Sequence, residues 1–114
     1  MRVIVCGDRN WDNKGSIRRA LIEHGVTEVI EGEARGADTQ GREVAEELGI
    51  PVIPVKADWK RYGRAAGPIR NREMLSYDPA AILAFHANLE RSKGTKNMIN
   101  QGEMAGVFVH LYTS

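Results

Sequence analysis

The chain has 114 residues, of which 42% are apolar and 27% charged; these values fit one globular domain with its own core and exclude a disordered chain. Net charge is +1 and the single cysteine, Cys6, cannot form an internal disulfide, so composition gives no bulk attraction to nucleic acid or membranes and points to a reducing, cytoplasmic setting. The start of the chain reaches Gly7 before a signal peptide could form, no apolar run approaches the ~20 residues of a membrane span, and the three histidines lack partners at metal-ligand spacing.

Val3-Ile4-Val5-Cys6 is a short β-branched run ending at Gly7 and predicts a buried strand. From about Asn13 to His24, Ile17, Leu21 and Ile22 fall at helical spacing, and Gly25 suits the residue after the helix. Val26 to Glu31 predicts a second strand ending at Gly32. Ala37, Gly41, Val44, Ala45 and Leu48 then mark one face of a helix that stops at Gly49. Ile50 to Val55 predicts a third strand, and Pro51 and Pro54 assign it to a sheet edge because proline cannot donate to a ladder.

Residues 56–67 show no period and read as a loop. Pro68 suits the first position of a helix running to about Ser76. Ala80 to Phe85 predicts a fourth strand, Ala87 to Lys93 a polar loop, Gly94 to Ala105 a helix and Val107 to Tyr112 a last strand. Strands alternating with helices at these lengths imply right-handed crossovers. The expected fold is therefore α/β and Rossmann-like, three layers around a mainly parallel five-stranded sheet in the order 3-2-1-4-5.

In such a sheet the ligand crevice lies beyond the carboxyl ends of the strands, where strand order reverses, here between the first and fourth strands. The segments delivered there are Gly7-Asp8-Arg9-Asn10-Trp11, Gly32 to Asp38, the stretch after the third strand, and His86 to Thr95. The stretch from Lys56 to Arg72 holds six basic residues (Lys56, Lys60, Arg61, Arg64, Arg70, Arg72) against Asp58, giving +5 where the rest of the chain carries −4. That concentration suggests a bound anion, with a solvated charged surface as the plain alternative.

Gly32 to Asp38 turns straight into a helix, and the free N–H groups and dipole of a helix start favour a phosphate. Arg35 could add a bidentate contact. The spacing matches neither a Walker loop nor the three-glycine dinucleotide pattern. Asp38 reads equally as a first-turn carboxylate. Gly94-Thr95 is a second helix start whose hydroxyl suits either an N-cap or a phosphate. Trp59 and Tyr62, within the basic stretch, either stack on a base or pack that stretch onto the sheet. Cys6, at a strand end without a histidine partner, reads as a small core residue.

Three stretches carry a family resemblance: Ala34-Arg35-Gly36-Ala37-Asp38, then Ala57-Asp58-Trp59 with Tyr62-Gly63, then Ala65-Ala66-Gly67-Pro68-Ile69-Arg70-Asn71 with Met74. Together they resemble the YspA-like branch of the SLOG (SMF/DprA-LOG) superfamily over nearly the whole chain. The resemblance implies a Rossmann-like domain that binds a nucleotide or nucleotide-derived ligand. The implied contacts are Gly7, Arg9, Gly32, Arg35, Gly36, Asp38, Arg70, Asn71, Gly94 and Thr95. Relatives include phosphoribohydrolases, which cleave a base from a nucleoside monophosphate, and proteins that bind single-stranded DNA.

The hydrolases carry a Pro-Gly-Gly-x-Gly-Thr-x-x-Glu loop with a catalytic glutamate. Here the stretch runs Leu89 to Met98, only Gly94-Thr95 survives, and Met98 stands at the glutamate position. A thioether cannot move a proton, which leaves Glu33, Asp38 or Glu73 as substitutes. The leading expectation is a sensor or sequestering protein for a phosphorylated nucleotide-type molecule, without cofactor or metal. The alternatives are a nucleoside-monophosphate N-glycosidic hydrolase with Asp38 or Glu73 as candidate catalytic carboxylate, and a single-stranded nucleic-acid binder. A crevice open at one edge further suggests a homo-oligomer that completes the pocket.

Overall fold

A computed structural model describes residues 1–114. Five strands, β1 (Arg2–Gly7), β2 (Glu28–Glu31), β3 (Val52–Pro54), β4 (Ala81–Phe85) and β5 (Phe108–Tyr112), form one sheet in the order β3-β2-β1-β4-β5. Every neighbouring pair is parallel, so the expected topology is present with no antiparallel strand. The helices are α1 (Lys14–Glu23), α2 (Ala37–Glu47), the single turn α3 (Trp59–Tyr62), α4 (Ala66–Leu75) and α5 (Lys93–Met104). None is long and apolar enough to cross a membrane.

The period-two alternation of the strands sorts side chains onto two cores. Val3, Val5, Val29 and Leu83 face α1 and α2, where Ile17, Leu21, Val44 and Ala45 close the layer. Ile4, Ile30, Ile82 and Ala84 face α4 and α5 and meet Met74, Met98 and Ile99. Each fully buried aliphatic side chain contributes about 1.5–3 kcal/mol. Close helix approach needs small residues: a methyl group at Gly41 would lie 2.6 Å from Val5 Cγ1, and one at Gly102 would collide with Ile82.

The edge assignment of β3 follows its prolines. Pro51 uses its carbonyl on Val29 N–H and Val55 donates to Glu31, both at 2.8–2.9 Å, so the intervening Pro54 turns its missing donor to the open edge.

Several boundaries differ from the sequence reading. Residues 56–67 are not a plain loop: Asp58 accepts the Arg61 N–H at 3.1 Å and caps α3, Gly63–Ala65 continue as a 3-10 turn, and α4 begins at Ala66. One turn is too short to print a period in sequence. Pro68 therefore sits third in α4, still among the first N–H groups that have no helical acceptor. Likewise α5 begins at Lys93, one residue before Gly94, because Ser92 supplies the cap. Ile22 is 60% exposed rather than core, its place on the buried face of α1 taken by Ala20.

Candidate functional site

Beyond Gly7 and Phe85 the chains of β1 and β4 part. Asp8 N–H still donates to Phe85 carbonyl at 2.8 Å; after that, one chain crosses to α1 and the other to α5, on opposite faces of the sheet. This divergence opens a crevice of about 1120 Å³, lined by the ends of β1, β2 and β4 and the starts of α4 and α5. Seven basic side chains line it, Arg9, Arg35, Lys56, Arg64, Arg70, Arg91 and Lys93, against three acidic ones, Asp8, Glu33 and Asp38. The excess of positive charge favours an anionic occupant.

The turn from β2 into α2 is held by the chain's own anion. Asp38, 4% exposed in the first turn of α2, accepts the Gly32 N–H at 2.9 Å and lies 3.5 Å from the Ala34 nitrogen. Part of the cradle that the sequence assigned to a phosphate is thus occupied by Asp38. On the other side of the turn Arg70 Nη1 donates to the Gly32 carbonyl at 2.6 Å. Gly36, which caps α2 at φ 75°, adopts a conformation that side chains disfavour. A methyl group there would collide with the carbonyls of Asp8 and Arg9.

From Arg70 a hydrogen-bonded chain crosses the floor of the crevice. Arg70 Nε donates to Asn71 Oδ1 at 3.1 Å, and Asn71 Nδ2 donates to Asn97 Oδ1 at 3.1 Å and to the Gly94 carbonyl at 3.4 Å. Asn71 is 3% exposed. The Arg70-Asn71 pair therefore ties the β2–α2 turn to the first turn of α5. There Ser92 Oγ accepts the Thr95 N–H at 2.9 Å. The N–H groups of Lys93 and Gly94 have no partner within the chain, and the buried Thr95 makes no hydrogen bond through its hydroxyl while lining the crevice. This helix start has open donors.

Two carboxyl groups beneath the β2–α2 turn hold protons unusually well. Burial, reinforced by the charge of Asp38, pushes Glu31 up to about 7; its Oε1 accepts the Glu33 N–H while the buried Oε2 has no partner. Burial raises Asp38 to about 6, opposed by Arg70 and by the N–H groups of Gly32 and Ala34. Burial also pushes the Cys6 thiol far up, which keeps it protonated and agrees with its reading as a core residue. Glu33, between these groups, takes the left-handed backbone at φ 57°, a strained conformation for glutamate. No group of three or more His, Cys, Asp or Glu side chains is placed to hold a metal ion.

Of the residues singled out from sequence, Gly7, Arg9, Gly32, Arg35, Asp38, Arg70, Asn71, Gly94 and Thr95 all line the crevice. Gly36 does not; it packs against the Asp8–Arg9 backbone. Glu73 is exposed on α4 and is absent from the crevice wall, so that candidate carboxylate is not delivered to the site. In the basic segment, Lys56, Arg64 and Arg70 face the crevice, whereas Lys60, Arg61 and Arg72 do not. Trp59 lines it and is 59% exposed, while Tyr62 lies outside it beneath the Arg61 guanidinium, 5.1 Å from the ring centre. Sequence reasoning missed Ser92 and Asn97, which have no motif, and the pairing of Asp8 with His86, which needs the β1–β4 adjacency.

A parallel sheet ordered 3-2-1-4-5, with a basic crevice at the reversal of strand order, defines a Rossmann-like domain of the kind that places ligands at that point. The chain belongs to the YspA, cpYpsA-related SLOG family, which residues 1–62 match. It is also similar to the Gene 61 protein of Mycobacterium phage D29, with 33% identity over 117 residues, covering 93% of this chain and 91% of that protein.

Proposed function

We propose that the crevice binds a phosphorylated, nucleotide-type small molecule, and that the protein acts as a sensor or sequestering protein for it. Membership of a SLOG family suggests nucleotide-related binding or processing. The observation that carries the reading is the start of α5: open N–H groups at Lys93 and Gly94 beside Thr95, a buried residue whose hydroxyl reaches the crevice and makes no hydrogen bond within the chain. Backbone donors at the positive end of a twelve-residue helix suit a phosphate. Arg70, Arg35 and Arg9 supply the surrounding charge. Gly32 and Asp38 form the supporting turn, and Trp59 offers an exposed indole face on which a base can stack.

Three of the positions weighed from sequence favour binding without turnover, while Glu33, which lines the crevice, is the carboxylate left to the hydrolase alternative. Met98 occupies the position of the glutamate in hydrolase relatives. Asp38 is committed to the β2–α2 turn, and Glu73 lies outside. Mass spectrometry of small molecules released from the purified protein tests the reading. A phosphorylated nucleotide species is expected in stoichiometric amounts or on readdition, with no free base produced. Base and ribose phosphate accumulating from added nucleoside monophosphates would establish the hydrolase instead.

The reading includes self-association through the outer edge of β5. That edge is unpaired, and Phe108 and Leu111 on it are 76% and 44% exposed, whereas the opposite edge is blunted by proline. A two-fold pairing of β5 with its copy would satisfy the free backbone groups.

A further inference from the structure

Asp8 and His86 face each other across the crevice where β1 and β4 diverge. Asp8 Oδ1 accepts the Asn10 N–H at 2.9 Å. Its Oδ2 stands 4.0 Å from His86 Nε2. His86 Nδ1 accepts the Asn88 N–H at 3.0 Å, so in the neutral ring the proton is on Nε2 and directed at the carboxylate. Both groups are anchored at their far side. Asp8 N–H is bonded to Phe85, and His86 N–H to the Tyr112 carbonyl at 2.9 Å. The facing atoms, Oδ2 and Nε2, make no other hydrogen bond within the chain, and both residues line the crevice.

A separation of 4.0 Å is too long for a direct hydrogen bond and suits an inserted oxygen. An oxygen about 2.8 Å from each atom sees them at an angle of about 90°, compatible with one donated and one accepted hydrogen bond. A hydroxyl does both: it donates to Asp8 and accepts from His86. A phosphate oxygen cannot donate and would be repelled by the carboxylate. The pair therefore selects a neutral hydroxyl in a crevice otherwise biased toward anions.

We propose that Asp8 and His86 form a sugar-hydroxyl subsite that takes a ribose hydroxyl of the bound nucleotide and discriminates ribose from deoxyribose. This rests on the nucleotide reading above and adds to it the class of sugar. A site built around a hydroxyl rejects the analogue lacking it, because the donor and acceptor are then left unpaired in a partly buried place.

Calorimetric titration of the full chain with nucleoside 5′-monophosphates of the four bases, and with their 2′-deoxy and 3′-deoxy counterparts, tests it. At least a tenfold preference for the ribonucleotide over one deoxy form is expected. Asp8→Asn keeps the bond to Asn10 N–H but loses the acceptor, and His86→Gln changes the donor without removing a polar group. Either variant should bring the ribo-to-deoxy ratio close to one. Equal affinity of the parent chain for ribo and both deoxy forms would overturn the subsite alone. Discrimination that survives both substitutions would do the same. Absence of binding by every nucleotide would overturn the nucleotide reading and this subsite with it.

Discussion

Arg70 lies so close to Gly32 that a methyl group at position 32 would sit 2.5 Å from Nη1. The same guanidinium donates to the Gly32 carbonyl at 2.6 Å. A side chain on α4 thus clasps the β2–α2 turn, and the absence of a side chain at position 32 makes the clasp possible. Gly32→Ala should displace the flexible end of Arg70 rather than the backbone. It should cost about 1.5–3 kcal/mol, the range for a hydrogen bond to a charged group. Arg70→Ala should then cost less in the Gly32→Ala background than in the parent chain. Urea denaturation of the two single variants and the double variant checks this, and fully additive losses would show that the two residues are not coupled.

Asp38 is expected to matter for folding as well as for any ligand. Asp38→Ala leaves the buried Gly32 N–H without an acceptor, at a cost of ~1–3 kcal/mol. Thermal and urea unfolding in the absence of nucleotide measure it. An unchanged midpoint would mean that the turn does not depend on its internal carboxylate.

The pH dependence of stability follows from Glu31 and Asp38, held near 7 and near 6 by burial. On unfolding, both return to the ordinary carboxylate range. Between about pH 4 and about pH 7 the folded chain therefore holds protons that the unfolded chain releases, and their contribution makes stability fall as pH rises. Glu31→Gln removes the Glu31 share. The variant should gain on the parent as pH rises through that window, by on the order of 1–3 kcal/mol at its upper end. Denaturant unfolding of both proteins at pH 4.5 and 7.5 gives the difference, and a parent that gains on the variant with rising pH would contradict the assignment.

Of the two tryptophans, Trp11 is 7% exposed beside Phe85 while Trp59 is 59% exposed in the crevice wall. Nucleotide binding should quench the emission of Trp59, and Trp59→Phe should abolish most of that change. Loss of a stacked base contact through Trp59→Ala should weaken binding by ~1–3 kcal/mol. Quenching that persists in Trp59→Phe would move the base elsewhere.

Self-association is checked by light scattering. The parent chain should elute as a dimer or larger, and Phe108→Lys, which places a charge on the free edge, should shift it toward monomer. A clean monomer at high concentration would remove this part of the reading.

The fold was legible because its signals are local and repeated. Val3-Ile4-Val5 and the strand ending in Phe85 are continuous apolar runs, and Gly25 and Gly49 mark helix ends. Pro51 and Pro54 fix the edge, and right-handed crossovers then leave one economical strand order. The site was legible as a place, since glycine and charge gather where the strands end. It was less legible as chemistry. Nothing in Gly32 to Asp38 tells a phosphate cradle from one filled by its own aspartate, because both need the same donors. The Asp8–His86 pair joins residues 78 positions apart, and only the β1–β4 register brings them together. The cap of α5 is Ser92, three residues before Thr95; helix ends are the least certain feature of any sequence reading.

The central claim, a phosphate seated at the start of α5, is tested most directly by titrating the parent chain and Thr95→Val with paired nucleosides and nucleoside 5′-monophosphates. Thr95→Val keeps the shape of a buried residue and removes only the unpartnered hydroxyl. The account predicts that the monophosphate binds the parent at least tenfold more tightly than its nucleoside, and that Thr95→Val narrows this gap by weakening the monophosphate alone. Equal affinities for nucleoside and monophosphate in the parent, or a Thr95→Val chain that binds both as the parent does, would contradict it.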